Sequence, residues 1–185
     1  GLLVSEGNFF LEKALALDPL VQLARIAPAD VADTPPRGFD FVVFDNCAPR
    51  SLGSGAYLFI RAAPPMPGVE PGPAAARPVL VDWDPTHPVT RFLNFDPVYV
   101  NSALTVKLPQ TFQVLLESTA GPLLAAAETE DLRVLYLAFD PYDSTWPFRV
   151  SFPVFVANAT HWLARDLDAP DATAAPARAG RTAGR

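Results

Sequence analysis

Phe39–Phe44 reads FDFVVF and runs straight into Asp45-Asn46-Cys47, and this segment constrains the chain more than any other. Phe41, Val42, Val43 and Phe44 place apolar side chains on both faces of a strand. Such a strand needs cover on both sides, as the central strands of parallel sheets have. Gly1–Ser5 (GLLVS) and Tyr57–Ile60 (YLFI) have the same character, while Leu20–Ile26 (LVQLARI) alternates like a half-buried strand. Between the first two strands, Phe10, Ala14 and Leu17 recur at helical spacing. Asn8 is placed to cap that helix and Asp18-Pro19 to stop it. The opening is thus β-α-β, and the pattern predicts an α/β fold wound on a mostly parallel sheet.

Further along, Pro28–Gly38 is a polar connection with room for a short helix at Pro28–Ala32. Ala62–Pro78 is rich in Pro, Gly and Ala and reads as a surface loop. Asp82-Trp83-Asp84-Pro85-Thr86-His87-Pro88 reads as a rigid connector, with Trp83 over a sheet edge and Asp84-Pro85 opening a turn; contact with a ligand through Trp83 and His87 is the alternative. Val98–Leu108 and Phe112–Glu117 read as strands, and Pro122–Glu128 with Arg133–Phe139 as a hairpin around Glu130-Asp131. Antiparallel strands are therefore expected at one end of the sheet. In the last helix Phe148, Phe152, Phe155, Ala159 and Trp162 form one apolar stripe, with Ser151 as N-cap and Pro153 in the first turn. Residues 1–165 are expected to form one domain, and Asp166–Arg185 a disordered tail or linker.

Composition excludes several classes of function. The net charge is −6 and only Lys13 and Lys107 are lysines, so no basic stripe can neutralise a row of phosphates and nucleic acid is not an expected partner. Cys47 is the only cysteine, which rules out an internal disulfide and argues against a thiolate metal centre. No apolar run approaches the roughly 18–20 residues that span a bilayer. The abrupt strand-like start at Gly1 suggests a piece of a longer protein.

No familiar catalytic set assembles. Cys47 follows a strand, but its setting lacks the flanking glycines of a nucleophile elbow, and Ser54 sits in a plain Gly53-Ser54-Gly55 turn. His87 lies in a loop and His161 on the last helix. There is no phosphate-cradling glycine loop, and Ser5-Glu6-Gly7-Asn8 sets a carboxylate where a phosphate would sit. What does recur is an acidic or amide residue just past a strand: Glu6, Asn8, Asp45, Asn46, Asp140 and Asp143. Ligands of wound sheets bind at the carboxyl ends of strands, so these six are the candidate binding residues. Oxygen ligands of this kind would suit Mg²⁺ or Ca²⁺, although each can equally serve as a turn or helix cap, and no metal or cofactor is expected.

Four strings carry a family resemblance: Gly7-Asn8-Phe9-Phe10-Leu11-Glu12-Lys13-Ala14-Leu15, Phe41-Val42-Val43-Phe44-Asp45, Asp82-Trp83-Asp84 with His87-Pro88, and Phe139-Asp140 through Asp143-Ser144 to Trp146-Pro147. Across about residues 1–163 the chain resembles the glutamine amidotransferase-like domain of bacterial membrane proteins that also carry a von Willebrand factor A domain and an aerotolerance-type N-terminal membrane segment. The resemblance implies a class I glutamine amidotransferase-like fold, a flavodoxin-like three-layer sandwich. True amidotransferases use a cysteine elbow and a late His-x-Glu pair. Here Cys47 has no elbow and the late strand ends in Asp140-Pro141-Tyr142-Asp143, so no catalytic residue carries over. The expectation is a non-catalytic interaction or ligand-sensing domain, associated with a bacterial membrane only through segments outside this chain. Its partners would be proteins or neighbouring domains of the same polypeptide. Alternatives are a hydrolase or amidotransferase using Cys47, and a structural spacer.

Overall fold

The computed structural model describes residues 1–31, 33–35 and 37–165; the expected tail at 166–185 lies outside these residues. The parallel core is built from β1 (Leu2–Val4), β2 (Ala24–Ile26), β3 (Val42–Asp45), β4 (Gly55–Ile60) and β10 (Leu132–Leu137). Antiparallel β9 (Gly121–Glu128), β8 (Phe112–Ser118) and β6 (Leu80–Trp83) complete an eight-stranded sheet in the order β2-β1-β3-β4-β10-β9-β8-β6. The fold is thus α/β, on a large sheet whose first part is parallel and whose far end is antiparallel, as the sequence predicts.

The order of strands dictates where the connections run. From β1 the chain moves one way to β2, through helix α1 (Phe9–Leu15); from β2 it steps back over β1 to β3 and on to β4. Right-handed crossovers in opposite directions must lie on opposite faces of the sheet. One face therefore holds α1 and the final helix α2 (Ser151–Ala164), which pack on each other. The connections 27–41 and 46–54 cross the other face and, among the described residues, contain no α-helix, only a 3₁₀ turn at Pro28–Asp30. They bond to each other through the Asp33 carbonyl, which accepts from the N–H groups of Arg50 and Ser51. The middle strands are buried on both sides, with Phe44 stacked on Phe59 at 5.1 Å between ring centroids.

Several sequence expectations need correction. Ala62–Pro78 is not a structureless excursion: β5 (Glu70–Ala76) pairs antiparallel with β7 (Ser102–Lys107) as a separate two-stranded ribbon. Its prolines are tolerated because a ribbon edge needs no N–H donor and the register breaks between Pro71 and Ala74. β6 starts at Leu80, two residues after Pro78, and runs through Trp83 into the string read as a connector, while Asp84 does open the expected turn by accepting from Thr86 N–H at 2.8 Å. Leu20–Ile26 yields only the short edge strand β2, and Val98–Leu108 only β7; Val98 and Val100 are buried in the approach to it.

The last helix is capped at Val150 and not at Ser151, whose hydroxyl is engaged as acceptor from the Trp146 indole N–H at 3.0 Å. Pro153 sits in the first turn as read. Phe152, Phe155, Ala159 and Trp162 are buried, but Phe148 is 74% exposed on a 3₁₀ turn at Trp146–Phe148. Trp146 takes the core position instead, with Phe95, Phe139, Phe152 and Phe155 rings 4.7–5.8 Å from its own.

Candidate functional site: the crevice between β1 and β3

The direction of winding reverses between β1 and β3, so the segments leaving these strands diverge onto opposite faces and open a crevice. Glu6, Gly7, Asn8, Pro28, Asp45, Asn46, Cys47, Asp140 and Tyr142 line it, around a volume of about 330 Å³. Two backbone features shape its walls. Gly7 turns the chain from β1 to α1 at φ +130, a conformation that L side chains rarely adopt. Asn46 takes φ +55 directly after β3, in the left-handed region that asparagine tolerates better than most residues.

A polar cluster holds the walls together. The Ser5 hydroxyl donates to Asp45 Oδ2 at 2.6 Å and accepts from Gly7 N–H at 2.9 Å. Asn8 caps α1 by accepting from Leu11 N–H at 3.2 Å. Its side-chain amide donates to Asp45 Oδ1 at 3.3 Å and to Asp140 Oδ1 at 3.4 Å. Asn46 reaches across the same gap, donating to Asp45 Oδ1 at 3.0 Å and Asp140 Oδ2 at 2.5 Å. Asp140 caps its own turn by accepting from Tyr142 N–H at 2.9 Å. Two carboxylates, one ending β3 and one in the turn after β10, are thus bridged twice by asparagine amides. Burial pushes the Asp45 carboxyl above the usual carboxylate range and the nearby Asp140 charge adds to this, against the lowering effect of the Ser5, Asn8 and Asn46 hydrogen bonds.

Of the six candidate residues, the structure gathers Glu6, Asn8, Asp45, Asn46 and Asp140. Asp143 is not among them: the 3₁₀ turn at Pro141–Asp143 points it away, toward the Arg61 guanidinium at 3.7 Å. Ser5 and Tyr142 were not singled out from sequence. Tyr142 joins the crevice to an aromatic rim, its ring 5.0 Å from that of Phe10, which in turn lies 5.4 Å from Phe148 and 5.8 Å from Phe9. Phe9 and Phe148 are mostly exposed. Among the described residues no group of three or more His, Cys, Asp or Glu side chains is placed to hold a metal ion.

Cys47 sits in this crevice with its thiol directed at the Val4 carbonyl, 3.7 Å away. Burial pushes the thiol up to about 11, and the charges of Asp45 and Glu6 push the same way. Neither histidine is near. His87 packs on the Trp162 ring at 5.5 Å and accepts from Val89 N–H, while His161 pairs with Asp18 at 2.6 Å. The thiolate is the nucleophile, so Cys47 is expected to alkylate slowly with iodoacetamide at pH 7.5 and faster by about tenfold per pH unit up to its pKa. A rate at pH 7.5 equal to that of a free thiol with a pKa of about 8.5 would show this account of its surroundings to be wrong.

No protein-family model matches the chain, and no curated protein does. Solved structures do. A cytoplasmic protein from Salmonella typhimurium LT2 superposes with a TM-score of 0.61 at 14% identity, over 86% of this chain and 88% of its own. A second cytoplasmic protein from Salmonella typhimurium gives 0.62 at 14%, over 86% and 87%. A thua-like protein from Parabacteroides merdae ATCC 43184 gives 0.52 at 12%, over 89% and 88%. At such identities the likeness shows the fold alone, and that fold is the class I glutamine amidotransferase-like arrangement. The comparisons correct one expectation. A bacterial membrane-associated location is not supported: two of these similar proteins are described as cytoplasmic, and no helix among the described residues is long and apolar enough to cross a membrane.

Proposed function

We propose that this chain is a non-catalytic recognition domain whose ligand or protein partner docks over the crevice between β1 and β3. The observation that carries the reading is the pair of carboxylates, Asp45 and Asp140, bridged by Asn8 and Asn46 at the point where the winding reverses. A crevice lined by Glu6, Asp45 and Asp140 repels anions and favours groups that bring hydrogen-bond donors, above all ammonium and guanidinium. The rim of Phe9, Tyr142 and Phe148 offers π-faces to the same cations and apolar area to whatever carries them. A thiol held protonated, without an imidazole in reach, does not suit covalent chemistry. The sequence resemblance adds that the partner would be a neighbouring domain of the same polypeptide, a von Willebrand factor A module being the kind it suggests.

Titration with arginine amide, followed by amide chemical shifts, tests the reading. Saturable shifts are expected at Gly7, Asn46 and Tyr142, and they should vanish in the Asp45→Asn/Asp140→Asn double variant. Shifts that map elsewhere, or that persist unchanged in the variant, would refute the site.

A further inference from the structure

At the far end of the sheet from the crevice, an apolar groove of about 380 Å³ runs between β6 and the segment 95–101. Ligand sites commonly have volumes of this order. Buried Phe95, Val98 and Val100 form its floor, and the more open Val81, Trp83 and Tyr99 its sides. It is closed at one end where Arg77 N–H donates to the Asn101 carbonyl at 2.9 Å, and at the other where Trp83 meets Phe95 edge-on at 5.8 Å. The backbone of its walls is engaged elsewhere. Val79 N–H donates to Thr119 Oγ1 at 3.1 Å and Val79 C=O accepts from Thr119 N–H at 2.9 Å. Tyr99 is bonded in the same way to Thr145, with both distances 2.9 Å. Trp83 N–H donates to Asp82 Oδ1 at 2.8 Å. A ligand here is therefore held by apolar surface and by charge, and not by adding a strand to the sheet.

The charges at the two ends decide what fits. Arg77 lines the end marked by Asn101, and Asp96, next to Phe95, lines the end marked by Trp83. Among the described residues neither side chain has an ion-pair or hydrogen-bond partner. Arg77 is held at φ +48, in the left-handed region that residues other than glycine seldom occupy. At about 3.3 Å per strand residue, the path from Arg77 to Trp83 is roughly 20 Å at most. The length of an arginine side chain brings the gap between the two charges to roughly 10–15 Å, which about three or four extended residues span. We propose that this groove binds a short apolar peptide with both ends free, its carboxylate paired with Arg77 and its ammonium with Asp96. A guanidinium matches a carboxylate with two parallel hydrogen bonds, and small apolar side chains cover the floor. An apolar acid or an apolar amine would satisfy one end only, and a stretch inside a folded protein has neither charge to offer. The groove is separate from the crevice between β1 and β3, and neither reading depends on the other.

Titration of the whole chain with the tripeptide Val-Ala-Val, followed by amide chemical shifts, tests this. Saturable shifts are expected at Val81, Tyr99 and Asn101. Acetylating the peptide's amino end or amidating its carboxyl end should each weaken binding about tenfold, since each removes one charge-assisted contact. Arg77→Gln and Asp96→Asn should each cost the free peptide about the same, and both positions are exposed, so the fold should persist. The pairing of ends is read from the combinations. The amidated peptide should be indifferent to Arg77→Gln and the acetylated one to Asp96→Asn, whereas the crossed combinations should lose a further tenfold. Blocked peptides that bind the parent chain as well as the free one overturn the proposal without recourse to any variant. So do shifts that map to the crevice between β1 and β3, and a loss on blocking that stays the same whichever charged residue is removed.

Discussion

Replacing Trp146 by alanine is expected to cost about 3–5 kcal/mol of stability, the largest effect of any single truncation in this chain. The side chain is fully buried and touches four aromatic rings drawn from separate parts of the chain: Phe95 from the long connection after β6, Phe139 just past β10, and Phe152 and Phe155 from α2. Alanine leaves a cavity that these rings cannot close together, because they are anchored on three separate parts of the chain. It also strands the Ser151 hydroxyl, which now accepts from the indole N–H. Trp146→Phe refills most of the volume and loses only that hydrogen bond, so its cost should be far smaller, about 1–2 kcal/mol. Urea unfolding followed by circular dichroism measures both, with an unchanged slope against denaturant expected if the fold is intact. A midpoint for Trp146→Ala that implies less than about 1 kcal/mol would mean that the aromatic cluster repacks freely and does not tie α2 to the sheet.

This cluster also shows where sequence reading succeeds and where it stops. LLV, VVF and YLFI are legible as β1, β3 and β4 because strands buried on both faces carry apolar residues without interruption. β5 is not: EPGPAAA has no apolar pattern, since β5 is the exposed outer strand of its ribbon and only its partner β7 packs on the core through Ala103 and Val106. Phe148 leaves the expected stripe because helical spacing does not extend back past Val150: Arg149 is extended and Trp146–Phe148 is a 3₁₀ turn of different pitch. Five of the six candidate site residues were found by a topological rule, since any wound sheet gathers the residues that follow its strands. Asp143 defeats that rule, being one short turn too far along. Ser5 does carry a usable signal. In the parallel register Val4 stands beside Phe44, so the next step sets Ser5 beside Asp45, and a hydroxyl there has an obvious acceptor. Tyr142 had no such signal, because its place over Phe10 depends on how the turn after β10 meets α1.

Asn8→Ala should be the most destabilising change within the crevice, at about 2–4 kcal/mol, because one side chain does two unrelated jobs there. Its oxygen caps α1, a role worth about 0.5–2 kcal/mol. Its amide serves both Asp45 and Asp140, and leaving a buried acceptor without a donor costs about 1–3 kcal/mol. Asn8→Asp separates the two, since it keeps the capping oxygen and replaces the donor with a third carboxylate. If the cap dominates, this variant is nearly as stable as the parent. If the bridge dominates, it is as poor as alanine at neutral pH and improves in acid. The sign follows from Asp45, whose carboxyl is raised in the folded state, first by burial. A raised carboxyl binds its proton more tightly folded than unfolded, so the associated stability is present below the unfolded value of about 4 and is lost as pH rises through the folded one. A further charge beside it enlarges that loss. The gap between Asn8→Asp and the parent should therefore widen from pH 4 to pH 7 in urea melts, while the gap for Asn8→Ala, which adds no charge, changes less. Equal gaps at both pH values would mean that the amide bridge does not govern the ionisation of this crevice, and that the two walls are held apart or together by the backbone turns at Gly7 and Asn46 alone.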